Sequence, residues 1–126
     1  MSTDLHLNLI GQIAINAHDL GRAIAFYRDT LGMRYLFTAG DLAFFDCGGI
    51  RLMLALPDKA EFDHPSSILY FKVADIQQAH AALVARQVRI QEPPIFVAKL
   101  EKHDLWLSSF HDSEDNLLAL MSEVPR

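Results

Sequence analysis

The sequence contains only one cysteine, Cys47, so no disulfide can form within the chain. It has no run of eighteen or more apolar residues, and its start lacks a basic segment followed by a long apolar one. Its 11 lysines and arginines are scattered, against 16 acidic residues, so no basic surface for nucleic acid is expected. We therefore predict a cytoplasmic protein that binds neither membranes nor nucleic acid.

The residues that are abundant indicate one folded domain. Hydrophobic residues make up 51% of the chain and charged residues 21%, which is the composition of an ordinary globular protein. A chain of 126 residues can bury one substantial core, but it is too short for two independent ones. We expect residues 1–126 to form a single domain.

The first half of the chain has the pattern of a strand, a helix and three strands. In residues 9–17, Ile13 and Ile15 alternate with polar or small residues, which is typical of a strand. Asp19 is placed to cap a helix that has apolar residues at helical spacing and ends at Gly32. Three β-prone runs follow, MRYLF, LAFFDCG and IRLMLALP, separated by turn residues.

The second half repeats this order after a linker. Residues 58–66 lie in a stretch with prolines, charges and little periodicity, which predicts a surface connection. A strand then ends at Val73, Asp75 caps a second helix, and the runs IFVAKLE, DLWLSSF and NLLALMSE predict three more strands. The fold class is α+β, with βαβββ modules at about residues 7–57 and 67–123. A cleft shared by two such modules is the natural ligand site.

Four segments make the sequence similar to a known family. They are INAHDLGRAIAFYRDTLGMRYLF, GGIRLMLAL, YFKVADIQQAHAAL and FHDSEDNLLAL, and the most specific part is FYRDTLGM, residues 26–33. With these segments the chain resembles the vicinal oxygen chelate superfamily, which includes glyoxalase I, extradiol dioxygenases, and fosfomycin and bleomycin resistance proteins. The resemblance implies two βαβββ modules around a shared cleft.

The metal site of that family has no counterpart in this sequence. The resemblance places the four usual ligand positions at Gln12, Met53, Ile68 and Ala119. None of these is a strong ligand for a divalent cation, which takes several oxygen donors or at least three histidine, cysteine or carboxylate ligands. Shifting the alignment by one residue brings in only leucines and one serine. We expect no metal and no other cofactor.

The residues that share strand faces with these positions are the candidate ligand-binding residues. They give the cleft an apolar, partly aromatic lining with a few polar tips. Gln12 either meets a ligand or hydrogen-bonds another side chain, and Trp106 either stacks on a planar ligand or fills the core. The predicted set is Gln12, Asn16, Arg51, Met53, Ile68, Tyr70, Trp106, Ala119 and Met121.

The acidic stretch His111 to Asp115 is predicted to be a solvated turn, with Asp115 taking the left-handed conformation where the family has glycine.

No residue is assigned a catalytic role. The resemblance favours a homodimeric, small-molecule-binding protein of the bleomycin resistance type. The alternatives are a metal-dependent glyoxalase, lyase or dioxygenase with non-standard ligands, and a structural domain whose cleft is filled by its own side chains.

Overall fold

The computed structural model describes residues 5–126 and contains two βαβββ modules, as predicted. A π-helical turn at Phe26–Thr30 continues α1, and a 3₁₀ turn at Ala60–Phe62 lies in the linker (residues 58–66). The elements are β1 Gln12–Asn16, α1 Leu20–Ala25, β2 Arg34–Ala39, β3 Leu42–Cys47, β4 Ile50–Ala55, β5 Leu69–Lys72, α2 Ile76–Ala85, β6 Ile90–Lys99, β7 His103–His111 and β8 Leu117–Pro125.

The two sheets have the same topology. Their strand orders are β1-β4-β3-β2 and β5-β8-β7-β6, so the first strand of each module pairs with the last one. This pair, at one edge of each sheet, is parallel, and the remaining pairs are antiparallel. The helix of each module carries the chain from the first strand to the opposite edge of the sheet. It therefore covers one face and leaves the other, which we call the open face.

Both helices begin at the aspartates that the sequence pattern predicts. The Oδ1 atom of Asp19 accepts the N–H of Arg22 at 3.0 Å, and that of Asp75 accepts the N–H of Gln78 at 3.0 Å. Gly32 has a φ of 74°, the left-handed conformation that ends a helix. Within residues 5–126, no helix has the length and apolar character needed to cross a membrane.

The helix-covered faces of both sheets contribute to one core. Tyr27 of the π-helical turn and Phe45 of β3 are fully buried there, together with residues of β1, β4, β7, β8 and α2. Because the helix-covered sides share this core, the open faces of the two sheets are directed away from it. Among the buried members of the core are Ile15, Ala23, Tyr27, Phe45, Leu52, Leu54, Leu83, Phe110, Leu118 and Leu120.

Strand β6 is longer than the pattern predicts. It begins at Ile90 rather than at Ile95, and it contains Pro93 and Pro94. Proline cannot donate to a sheet, but β6 is an edge strand whose register shifts between Glu92 and Ile95. Prolines are tolerated at an edge and at an irregularity, so they do not end this strand.

Candidate functional site

Four of the predicted site residues lie together on the open face of the first sheet. The β1–β4 register pairs Gln12 with Arg51, Ala14 with Met53 and Asn16 with Ala55. These side chains alternate with the buried Ile15, Leu52 and Leu54, which point into the core. The alternation of strand side chains therefore brings Gln12, Asn16, Arg51 and Met53 to one surface.

Four others lie on the open face of the second sheet. The β5–β8 register pairs Tyr70 with Ala119 and Lys72 with Met121, and Ile68 precedes β5 on the same alternation. A cavity of about 190 Å³ is lined by Ile68, Tyr70 and Ala119, among others. Tyr70 is 52% exposed, so its ring is available on this surface.

The linker closes one end of a larger cavity on the first open face. This cavity, of about 560 Å³, is lined by Asn16, Met53 and strand neighbours on one side, and by Phe62 and His64 of the linker on another. The Nδ2 atom of Asn16 donates to the carbonyl oxygens of Phe62 at 2.7 Å and His64 at 2.9 Å. The side-chain nitrogen of Asn16 is thus engaged by the linker.

Within one chain, the two groups of residues line different cavities. The cavities described above contain Asn16 and Met53 in one case, and Tyr70 and Ala119 in the other. A third, of about 490 Å³, lies at their junction and includes Asn16 and Ile68. The structure therefore brings the predicted residues together as two half-sites, one on each sheet.

Trp106 lies apart from both half-sites. Its register partners are Ser122, which is buried, and Phe96. The Trp106 and Phe96 rings meet edge to face at 6.1 Å, and Trp106 packs against the core. The placement favours the core-filling alternative and corrects the assignment of Trp106 to the cleft lining beside Tyr70 and Ala119.

The four family ligand positions do not fit a divalent cation. The Oε1 atom of Gln12 accepts the Nε–H of Arg51 at 2.8 Å, and its Nε2 lies 3.6 Å from the sulfur of Met53. The side chains of Ile68 and Ala119 have no atom that can coordinate a metal ion. Among residues 5–126, no group of three or more histidines, cysteines and carboxylates is arranged to hold a metal. One amide and one thioether are too few ligands.

The acidic turn between β7 and β8 is only partly solvated, so the prediction for this turn was wrong at two positions. Asp112 is 6% exposed and accepts a hydrogen bond from the hydroxyl of Tyr27 at 2.7 Å. Burial and the neighbouring Asp112 carboxylate raise the pKa of Tyr27. Asp115 has the predicted left-handed φ of 67°, and its exposed carboxylate pairs with Arg89 at 2.6 Å.

Glu114 is the second buried acid of this turn, and it contacts the first module. Its side chain is 1% exposed and accepts Arg22 Nε at 2.7 Å and the backbone N–H groups of His18 and Asp19 at 2.8 Å each. Burial alone raises the pKa of Glu114, but the donors from Arg22 and the two N–H groups outweigh it and lower the pKa to about 2. The contact joins the end of one module to the start of the helix in the other.

Comparison with known proteins agrees with this architecture. A model of the Glyoxalase/Bleomycin resistance protein/Dioxygenase superfamily matches residues 9–97. A structure of lactoylglutathione lyase from Agrobacterium tumefaciens is 22% identical, with 91% of this chain and 93% of that one covered and a TM-score of 0.73. A superfamily member from Sphaerobacter thermophilus is also 22% identical, with 94% and 100% covered and a TM-score of 0.76.

A virulence protein from Salmonella typhimurium is 17% identical, with 95% of this chain and 100% of that one covered and a TM-score of 0.76. Comparison with the curated proteins gives no significant match. The family match extends over more than half of the chain, and the solved structures have the same two-module fold. The chain therefore belongs to the glyoxalase/bleomycin resistance protein/dioxygenase superfamily, the vicinal oxygen chelate superfamily that its sequence resembles.

Proposed function

We propose that this protein binds a small, partly apolar molecule without a metal, as proteins of the bleomycin resistance type do. The observation that carries the proposal is the pair of half-sites on the open faces, which have largely apolar and partly aromatic linings. Among residues 5–126, no cluster of three or more histidines, cysteines and carboxylates is arranged to hold a metal there. Pockets of this composition bind ligands through apolar contact, with a few polar groups fixing orientation. Met53, Tyr70 and Ala119 supply the apolar part, and Gln12 and Arg51 the polar part.

We also propose that a second copy of the chain completes the site. Among residues 5–126, the two half-sites line separate cavities and share only the junction cavity that includes Asn16 and Ile68, and their open faces expose large apolar side chains. Phe37 is 48% exposed, Tyr70 52% and Ile95 43%. In the proposed homodimer, each open face of one copy lies opposite a half-site of the other copy. This contact covers the exposed apolar side chains and encloses the ligand.

A thermal-shift screen tests the binding proposal. Aromatic and amphipathic compounds are added with and without Mg²⁺, Mn²⁺, Zn²⁺ or Ni²⁺, and the melting temperature is measured. A ligand that binds only the folded state raises the melting temperature, so at least one organic compound should stabilise the protein and the metals alone should have no effect.

Metal analysis of the purified protein distinguishes the alternative, a metal-dependent glyoxalase, lyase or dioxygenase with non-standard ligands. The proposal predicts less than stoichiometric Ni, Zn, Mn and Fe. One bound metal ion per chain, together with an activity that a chelator removes and the metal restores, would establish the enzyme instead.

A further inference from the structure

The open face of the first sheet has a charged row at one end. The strand registers pair Arg34 with Asp46, Asp46 with Arg51, and Arg51 with Gln12, so these four side chains cross the sheet from β2 to β1. Two arginines flank one aspartate in this row. Its formal charge is therefore positive, in a protein whose net charge is −5.

An aromatic row lies directly beside the charged one. The registers pair Phe37 with Phe44, Phe44 with Met53, and Met53 with Ala14. The Phe37 and Phe44 rings are stacked, with centroids 4.6 Å apart and planes 27° from parallel. Because Phe37 is 48% exposed, the stack offers a flat apolar surface to a ligand.

Arg51 is oriented by the two rows, and within the described residues 5–126 it has no acidic partner. Its Nε–H is donated to Gln12 at 2.8 Å, and its guanidinium carbon lies 5.3 Å from the centre of the Phe44 ring. Among residues 5–126, no carboxylate forms an ion pair with Arg51, and its terminal nitrogens donate to no protein acceptor. A guanidinium has five N–H donors in a fixed fork, so most of those of Arg51 remain available.

The acidic residues of this face set the direction in which an anion can bind. Asp46 is the acid nearest to Arg51 in the register, and its Oδ1 accepts the N–H of Gly49 at 3.2 Å. At the other end, Asp41 and Asp58 line the cavity next to the linker. They repel a negative group there, so a ligand with one anionic end is favoured with that end at Arg51 and its apolar part over Phe44 and Met53.

We propose that the ligand of this face is a planar aromatic acid whose carboxylate is held by the Arg51 fork and whose ring lies on Phe37 and Phe44. The inference rests on the proposed small-molecule binding and names the ligand class for the same site. Arginine pairs with carboxylate through two parallel N–H···O bonds, which gives both orientation and affinity. Gln12 takes the position of a family metal ligand but acts here to position Arg51.

Titration calorimetry with two matched probes tests the inference on the full chain. The probes are 2-naphthoate, which is anionic, and 2-naphthamide, which has the same ring and no charge. A charge-assisted pair at a partly exposed site should make naphthoate bind about tenfold more tightly. Arg51→Gln should remove this preference and leave naphthamide binding unchanged, and Arg51→Lys, which keeps the charge without the fork, should retain part of it.

Arg28→Gln is the matched control, because it removes the same charge from an exposed arginine that pairs with Asp29 instead. Melting curves check that each variant is folded. If Arg51→Gln does not fold, the probe preference of Arg51→Lys tests the inference instead. Equal binding of both probes, or equal losses in the Arg28 and Arg51 variants, would overturn the anionic ligand class while leaving the binding function intact. If neither probe binds, the result contradicts both the anionic ligand class and the binding of aromatic molecules by this protein.

Discussion

At the scale of single residues, Glu114 connects the two modules through several donors that converge on one carboxylate. If glutamine replaces Glu114, its neutral oxygen accepts weaker hydrogen bonds than the carboxylate does. Its side-chain N–H groups would also face Arg22, which is itself a donor. We expect Glu114→Gln to lower the free energy of unfolding by roughly 2 kcal/mol at neutral pH. Urea denaturation measures the change. Glu101→Gln, at an exposed glutamate, is the control and should have little effect.

The lowered pKa of Glu114 also predicts a pH dependence. A carboxyl whose pKa falls from 4.5 to about 2 on folding stabilises the protein fully above its unfolded value. The stabilisation is lost as the pH falls from about 4.5 towards 2, because the unfolded state then binds the proton more readily. The stability difference between wild type and Glu114→Gln should therefore shrink over this range. A difference that stays constant with pH would contradict the role of the charge.

No local sequence pattern predicts the burial of Glu114 and Asp112. Their partners Arg22 and Tyr27 are more than eighty positions earlier in the chain. An acidic stretch between two strands is consistent with an exposed turn, and only the packing of one module on the other changes that. By contrast, the left-handed Asp115 is predictable because the turn itself requires this conformation.

At the scale of elements, the strands, the helix caps and most strand faces follow from local pattern. Alternation placed Gln12 and Asn16 on one face of β1, and Arg51 and Met53 on one face of β4, because the opposite face of each strand is strongly apolar. The pairing of Gln12 with Arg51 comes from the register between the two strands. Strand β7 is different, because Trp106 and Ser108 lie on one face and Leu107 and Ser109 on the other. Each face then has an apolar residue and a serine, so alternation does not identify the core side, and Trp106 was assigned to the wrong one.

The linker gives a prediction at this scale. Both N–H groups of the Asn16 side chain are donated to linker carbonyls, and His18 contacts Asp63 at 2.8 Å. Asn16→Asp replaces the donors with a carboxylate that faces the same carbonyl oxygens. We expect faster amide hydrogen exchange in residues 58–66, measured by mass spectrometry, because the linker opens locally without global unfolding.

Asn8→Asp is the matched control for this experiment, because Asn8 is exposed and lies outside the strands. It should leave exchange in the linker unchanged. If Asn16→Asp also leaves it unchanged, then the two side-chain bonds do not hold the linker, and the cavity beside it is closed by other contacts.

At the scale of the whole molecule, the arrangement of the two modules decides where a complete site can form. The local pattern predicts each module, but it does not predict which faces meet, since that depends on contacts between distant segments such as the Glu114–Arg22 pair. Each chain presents two half-sites on its open faces. Exposed apolar side chains that are grouped on the open faces, such as Phe37 and Tyr70, mark interfaces or ligand-binding grooves.

The second copy that we propose gives the last prediction. Light scattering on a sizing column should give a mass of twice 14.2 kDa for the wild type. Tyr70→Glu places a charge on the open face of the second sheet and should shift the protein to the monomer, with ligand binding lost in parallel because each site needs both copies. Val84→Glu, at a helix residue that is 51% exposed against 52% for Tyr70, should remain dimeric. A wild-type monomer that binds ligand with full affinity would place the complete site within one chain.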